Sequence, residues 1–316
     1  MKTRFPLLYI IVIIIFSSYL LDKTIIIIII IYICYVYYLI IQKKAGIVNK
    51  INNKNKFLQY LNDQNLEVFT LDQVLRYFNG LSKADYEFVE DLARKGTLTR
   101  LMRGLYTVNP RVDLDHRHMP NWHKVAAAMA YPRDYYIGYY SALQLHELIT
   151  QPALREYLVM TEQVSPKVRK ILDVPFEMIC LKQDRFFGYK KTWINDHDKV
   201  YCSDLEKTII DCLSKPKYAG GLEGIVKAID KARHKIKANV LIEYAIKFDA
   251  QSVMKRLGYV LDGLELFPTE QNILQELISD AYTKLDPSLK IKGKFHRKWR
   301  IEDNLDIKEL LQTTRT

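Results

Sequence analysis

The chain has 316 residues, 49% hydrophobic and 26% charged, and a formal net charge of +11 from 47 Lys and Arg against 36 Asp and Glu. That apolar share supports a packed core and argues against a wholly disordered or fibrous protein, while the basic balance favours anionic partners such as nucleic acid or acidic lipid. Four cysteines with no CxxC spacing (Cys34, Cys180, Cys202 and Cys212) argue against a disulfide framework or a thiolate zinc site and fit a reducing compartment.

Residues 1–44 form an apolar extension. "FPLLYIIVIIIFSSYLL" (Phe5–Leu21) and "IIIIIIIYICYVYYLII" (Ile25–Ile41) are separated only by Asp22-Lys23-Thr24, and both are apolar on every face. The second run is about 25 Å long as a helix, the lower limit for a hydrocarbon core. A transmembrane hairpin fits the flanking charges, with Lys2, Arg4, Lys43 and Lys44 on the cytoplasmic side of an inner membrane. The other reading is translated A/T-rich DNA upstream of the cellular start, near Val48–Leu58, and it is preferred because Ile, Tyr, Lys, Asn and Phe dominate the stretch. Both readings leave the body cytoplasmic.

Residues 45–112 read as a winged helix-turn-helix. Lys44–Lys56 reads as a solvated linker, and a short helix follows with Phe57, Leu58 and Leu61 at helical spacing. Thr70 and Gln73 form a capping-box pattern ahead of a helix with Leu71, Val74, Leu75 and Phe78 on one face, ended by Gly80. Ser82 caps the next helix, with Phe88, Val89 and Leu92 inward and Gly96 at its end. "TLTRLMRGLYTV" (Thr97–Val108) predicts a hairpin turning at Arg103-Gly104. In this architecture the helix after Ser82 enters a DNA major groove and the hairpin is the wing. Arg100 and Arg103 lie on the wing, placed to pair with phosphates, and the helix carries the cations Lys83, Arg94 and Lys95. Asp85, Glu87, Glu90 and Asp91 lie on the same helix and would repel phosphate unless they face away.

Residues 113–304 predict an α+β domain, a short sheet covered by helices, and residues 305–316 a tail. Helices are expected over Asn121–Tyr131 and Tyr139–Leu148, strands over Arg155–Glu162, Phe176–Lys182 and Lys199–Ser203, and four helices from Asp204 to Leu264. Catalytic signals are weak. His116, His118 and His123 have no thiol or carboxylate cluster nearby, Asp196 and Asp198 fit a hairpin tip, and Glu177 and Lys182 lack nuclease spacing. Glu206 and Asp211 fit surface or capping contacts. No catalytic residue, metal or cofactor is expected.

Four motifs in order, "RLMRGLYTV", "YYIGYYSALQLHEL", "VYCSDLEKTIIDCLSKPKYAGGLEGIVKAI" and "VMKRLGYVLD", resemble the AbiEi family of abortive-infection antitoxins over roughly residues 55–300. The resemblance implies a non-enzymatic antitoxin of a type IV toxin–antitoxin system. Its winged domain would repress its own operon at inverted repeats in the promoter, and its C-terminal domain would counter an AbiEii-like nucleotidyltransferase toxin without a stable complex. By this resemblance Ser82, Lys83 and Tyr86 match the start of the DNA-reading helix, and Arg100 and Arg103 the wing, which with Arg94 and Lys95 makes seven candidate DNA-binding residues. The alternative is a membrane-tethered regulator using the winged domain as a protein-binding adaptor.

Overall fold

The computed structural model describes residues 23–110 and 118–305 and divides into two compact units between Leu66 and Glu67. In the first unit, helix α1 (Lys23–Asp63) runs for 41 residues. It passes through the expected linker without a break, and the short helix at Phe57 is its last part. Gly46 costs about 1 kcal/mol in a helix interior, too little to stop a helix favoured on both sides. From Ile28 to Lys44 every side chain except Ile33 is exposed, Tyr32 to 67%. Phe5–Leu21, the other half of the expected hairpin, lies outside the described residues. Among the described residues no helix is long and apolar enough to cross a membrane.

The second unit opens with strand β1 (Val68–Thr70), which the sequence left unassigned and which forms because Val68 and Phe69 pair with β3 (Leu105–Val108). The Thr70–Gln73 capping box forms: the Thr70 N–H donates to Gln73 Oε1 (2.8 Å), and the Gln73 N–H donates to Thr70 Oγ1 (3.4 Å). It starts a 3-10 turn and a four-residue helix, α2 (Leu75–Phe78), rather than one long helix. Asn79 (φ 52°) ends α2 in the left-handed region, and Gly80 (φ 102°) continues the turn. Helix α3 (Lys83–Arg94) has the Ser82 cap in full, with Asp85 completing a capping box. Gly104 (φ 77°) makes the turn between β2 (Leu98–Met102) and β3. The three strands form a sheet in the order β1-β3-β2.

Helix α4 (Trp122–Ala130) follows within the expected span, and the Asn121 side chain caps it by accepting from the His123 N–H. A six-stranded mixed sheet then forms in the order β6-β7-β5-β4-β9-β8, from β4 (Tyr135–Ile137), β5 (Glu156–Met160), β6 (Val168–Ile171), β7 (Val174–Cys180), β8 (Tyr189–Trp193) and β9 (Lys199–Ser203). Helix α5 (Tyr139–Leu145) connects β4 to β5. The strands β4, β6 and β8 were not foreseen. They are three to five residues long, and their pairing rather than their composition makes them strands. One apolar cluster joins Ile137, Leu158, Phe176 and Val200 of this sheet to Val125 and Ala126 of α4 and to Val68, Leu101 and Leu105 of the small sheet. The hairpin therefore shares its core with the larger sheet.

A second cluster is built on Tyr136, Tyr157, Val159 and Ile179. It is completed by α6 (Leu205–Ser214), α7 (Gly221–Ala232), α8 (Ala238–Phe248), α9 (Gln251–Gly263) and α10 (Pro268–Leu277). A third sheet, β10 (Thr283–Lys284), β12 (Ile301–Asp303) and β11 (Lys294–His296), lies in the lysine-rich end that sequence left unassigned.

The polar residues of two quoted motifs turn inward. Asp211 is fully buried, not a surface group: Lys207 donates to it, and Tyr136 Oη donates to its Oδ2 at 2.8 Å. Glu206 behaves as a cap, accepting from the Lys237 N–H (2.8 Å) at the start of α8. On α9, Arg256 donates to the carbonyls of Leu213 (2.9 Å), Lys284 (3.1 Å) and Leu285 (3.0 Å), fastening the third sheet to the helices.

Candidate nucleic-acid interface

Helix α3 and the hairpin bring three of the seven candidate residues to one place. Tyr86, Arg100 and Arg103 line a cleft of about 560 Å³ with Glu90, Tyr106 and Met129. A fourth cation joins them from β6: Arg169, which lies 66 positions after Arg103 and has its Nε buried without a hydrogen-bond partner. Sequence reasoning missed Arg169, and no local pattern marks it. Its proximity follows from the packing of the hairpin against α4 and the larger sheet.

The three arginines differ in availability. Arg100 is 3.3 Å from Glu90, whose Oε1 also accepts the Tyr106 hydroxyl at 2.7 Å. Burial, then this hydrogen bond and the Glu90 charge, push the Tyr106 phenol well above its ordinary value, so it stays a neutral donor. Arg103 is exposed at the turn, and among the described residues no carboxylate pairs with it.

The other four candidates stand outside this cleft. Ser82 is occupied by its capping box. Lys83 is 93% exposed, its nearest carboxylate Glu87 at 4.0 Å. Arg94 and Lys95 sit at the opposite end of α3, about 16 Å along the axis from Lys83, and both pair with Asp91. The acidic residues of α3 do not all face away from the cleft, since Glu90 lines it. Each is instead held locally: Asp85 by Ser82, Glu87 by Lys83, Glu90 by Arg100 and Asp91 by Arg94 and Lys95. From Lys83 to Arg103 the chain carries five cations against four carboxylates, a net charge of +1.

The weaker chemical candidates resolve as structure. Asn195 Oδ1 accepts from the His197 and Asp198 N–H groups (2.9 and 2.7 Å), closing the hairpin tip between β8 and β9, and Asp198 pairs with Lys124 at 3.0 Å. His123 Nδ1 meets the buried Glu156 at 2.6 Å, His118 faces Glu67, and His116 lies outside the described residues. Among the described residues no group of three His, Cys, Asp or Glu side chains is placed to hold a metal ion.

No protein-family model and no curated protein matches the chain. Among solved structures, the crystal structure of the RV2827C protein from Mycobacterium tuberculosis is similar, with a TM-score of 0.56 over 83% of this chain and 94% of that one. The two are 15% identical, so the likeness is one of fold.

Proposed function

We propose that the chain is a cytoplasmic antitoxin that also represses its own operon, with residues 45–112 as a winged helix-turn-helix and the α+β remainder acting against a nucleotidyltransferase toxin. The DNA half is carried by one observation: an N-terminally capped helix with exposed Lys83 and Tyr86 is followed by a hairpin whose tip presents Arg103 beside a three-arginine cleft. In this reading α3 presents Lys83 and Tyr86 to base edges in the promoter's inverted repeats, and Arg100, Arg103 and Arg169 contact phosphate. The antitoxin half is supported by the order of the four AbiEi-like motifs. Opposition to the toxin requires no stable complex, and no catalytic residue, metal or cofactor is assigned.

The test uses the full chain, because the hairpin shares its core with the larger sheet. In gel shifts on the operon promoter over a salt series, Arg103→Ala weakens binding to all sequences alike and lowers the salt slope by about one unit, as one counterion fewer is released. Lys83→Ala changes instead the preference for promoter over random DNA. Both variants keep toxin rescue. Absence of any promoter preference at every salt concentration would falsify the repressor reading, and loss of rescue in Arg103→Ala would refute the division of labour.

A further inference from the structure

The hairpin of β8 and β9 carries a surface that the winged segment does not use. Its ten strand residues include Lys190, Lys191 and Lys199 and no carboxylate. Register places Trp193 opposite Lys199 and Lys191 opposite Tyr201. Val200 and Cys202 point into the core, so Lys191, Trp193, Lys199 and Tyr201 share the other face, and all four are exposed. Trp193 is 58% and Tyr201 39% exposed.

Each aromatic ring has an ammonium over its face. Lys199 Nζ sits 3.9 Å from the centre of the Trp193 ring, and Lys191 Nζ lies 5.7 Å from that of Tyr201. Tyr201 makes edge contacts with Tyr135 (6.0 Å) and Tyr189 (5.9 Å). Beside it opens a cleft of about 260 Å³, lined by Tyr131, Tyr135, Tyr189 and Tyr201 together with Arg133 and Asp134. Trp193 and Tyr201 are diagonal cross-strand neighbours, about 7–8 Å apart.

Protection of a sheet edge accounts for lysines on β8, the last strand of its sheet. It does not account for an exposed tryptophan, which favours edge-to-edge pairing rather than blocking it. Two exposed aromatic rings interleaved with cations match one kind of partner, an unpaired polynucleotide: the flexible lysines swing from the rings to the phosphates and bases stack in their place. A duplex offers no free base face to stack, so this surface and the α3 cleft select different forms of nucleic acid.

We infer that the β8–β9 face binds single-stranded nucleic acid, with Trp193 and Tyr201 stacking neighbouring bases and Lys191 and Lys199 pairing with the backbone. This does not depend on the antitoxin or repressor reading. The test is fluorescence anisotropy of labelled (U)12 and (dT)12 with the full chain between 50 and 200 mM salt.

Both oligonucleotides should bind, and the tighter one identifies RNA or DNA as the natural strand. Trp193→Ala weakens binding about tenfold while Trp193→Phe keeps most of it. Lys199→Ala lowers the salt slope by about 0.7. Arg103→Ala leaves single-strand binding unchanged, and thermal melting of the Trp193 variants matches wild type because the side chain is exposed. If wild type binds neither oligonucleotide at 50 mM salt, the inference is wrong, as it is if Trp193→Ala binds like wild type. A loss in Arg103→Ala equal to that in Trp193→Ala would place the strand in the other cleft and also overturn it.

Discussion

Asp211→Leu removes one side of an ion pair in which both side chains are completely buried. The Lys207 ammonium would keep only the Tyr136 oxygen at 3.0 Å and the rings of Tyr136, Phe187 and Phe248, 5.1–5.3 Å away. Breaking such a pair costs about 3–5 kcal/mol. The lysine can escape only by losing its proton, and that loss is itself costly at neutral pH.

In a unit of this size the loss corresponds to a melting temperature lower by roughly 6–20 °C. Burial already pushes the Lys207 pKa down and the Asp211 pKa up in the native protein. Without Asp211 the folded chain binds fewer protons than the unfolded one, so the variant gains stability as pH rises, by up to about 1.4 kcal/mol per unit below the unfolded lysine pKa. The assay is thermal and urea unfolding of wild type, Asp211→Leu and Lys207→Met/Asp211→Leu at pH 6, 7.5 and 9. The double variant should recover the part of the loss due to the buried charge and stay about 1–3 kcal/mol below wild type, because the buried Tyr136 hydroxyl loses both its partners. A cost below about 1 kcal/mol for Asp211→Leu, or a deficit that does not shrink with pH, would refute the reasoning.

Glu90→Gln keeps an acceptor for the Tyr106 hydroxyl but releases the Arg100 charge. On the proposed DNA reading, gel shifts should show a salt slope steeper by about 0.9, a further factor of about 3.5 between 50 and 200 mM salt, and an unchanged slope would count against Arg100 at phosphate. Gly258→Ala on α9 sets helix propensity against packing: an added Cβ would lie 2.0 Å from Trp299 Cζ3, and that indole is buried and hydrogen-bonded to Asp262 at 2.9 Å. Overpacking should outweigh the ~1 kcal/mol propensity gain and give a net loss of about 1–2 kcal/mol or more in urea unfolding, whereas a stabilised variant would show that Trp299 can move. For Glu177, burial raises the pKa, but Lys167 (3.0 Å) and Arg155 (2.9 Å) outweigh it and hold the carboxyl below its ordinary value. Its contribution to stability is therefore complete above about pH 4.3 and is lost as pH falls through the lower folded value, and Glu177→Gln should flatten the acid limb of a stability–pH curve.

What sequence alone determined here is local. The Ser82 cap, the Thr70–Gln73 box and the Arg103-Gly104 turn were legible because each is made within about five residues, where backbone geometry limits the choices. The α+β class was legible for the same reason, since each long helix and strand carries its own period. Even so, local signals misjudged Lys44–Lys56, where weak helix formers were carried along in a 41-residue helix.

Tertiary structure decided whatever joins residues distant in the chain. It brought Arg169 beside Arg103 and set Glu90 against Arg100. It buried Asp211 with Lys207 and Tyr136, and aligned Trp193 and Tyr201 on one face. A carboxylate on a helix reads the same in sequence whether it meets water or a buried ammonium. The difference is its desolvation, and desolvation depends on which strands and helices close over it.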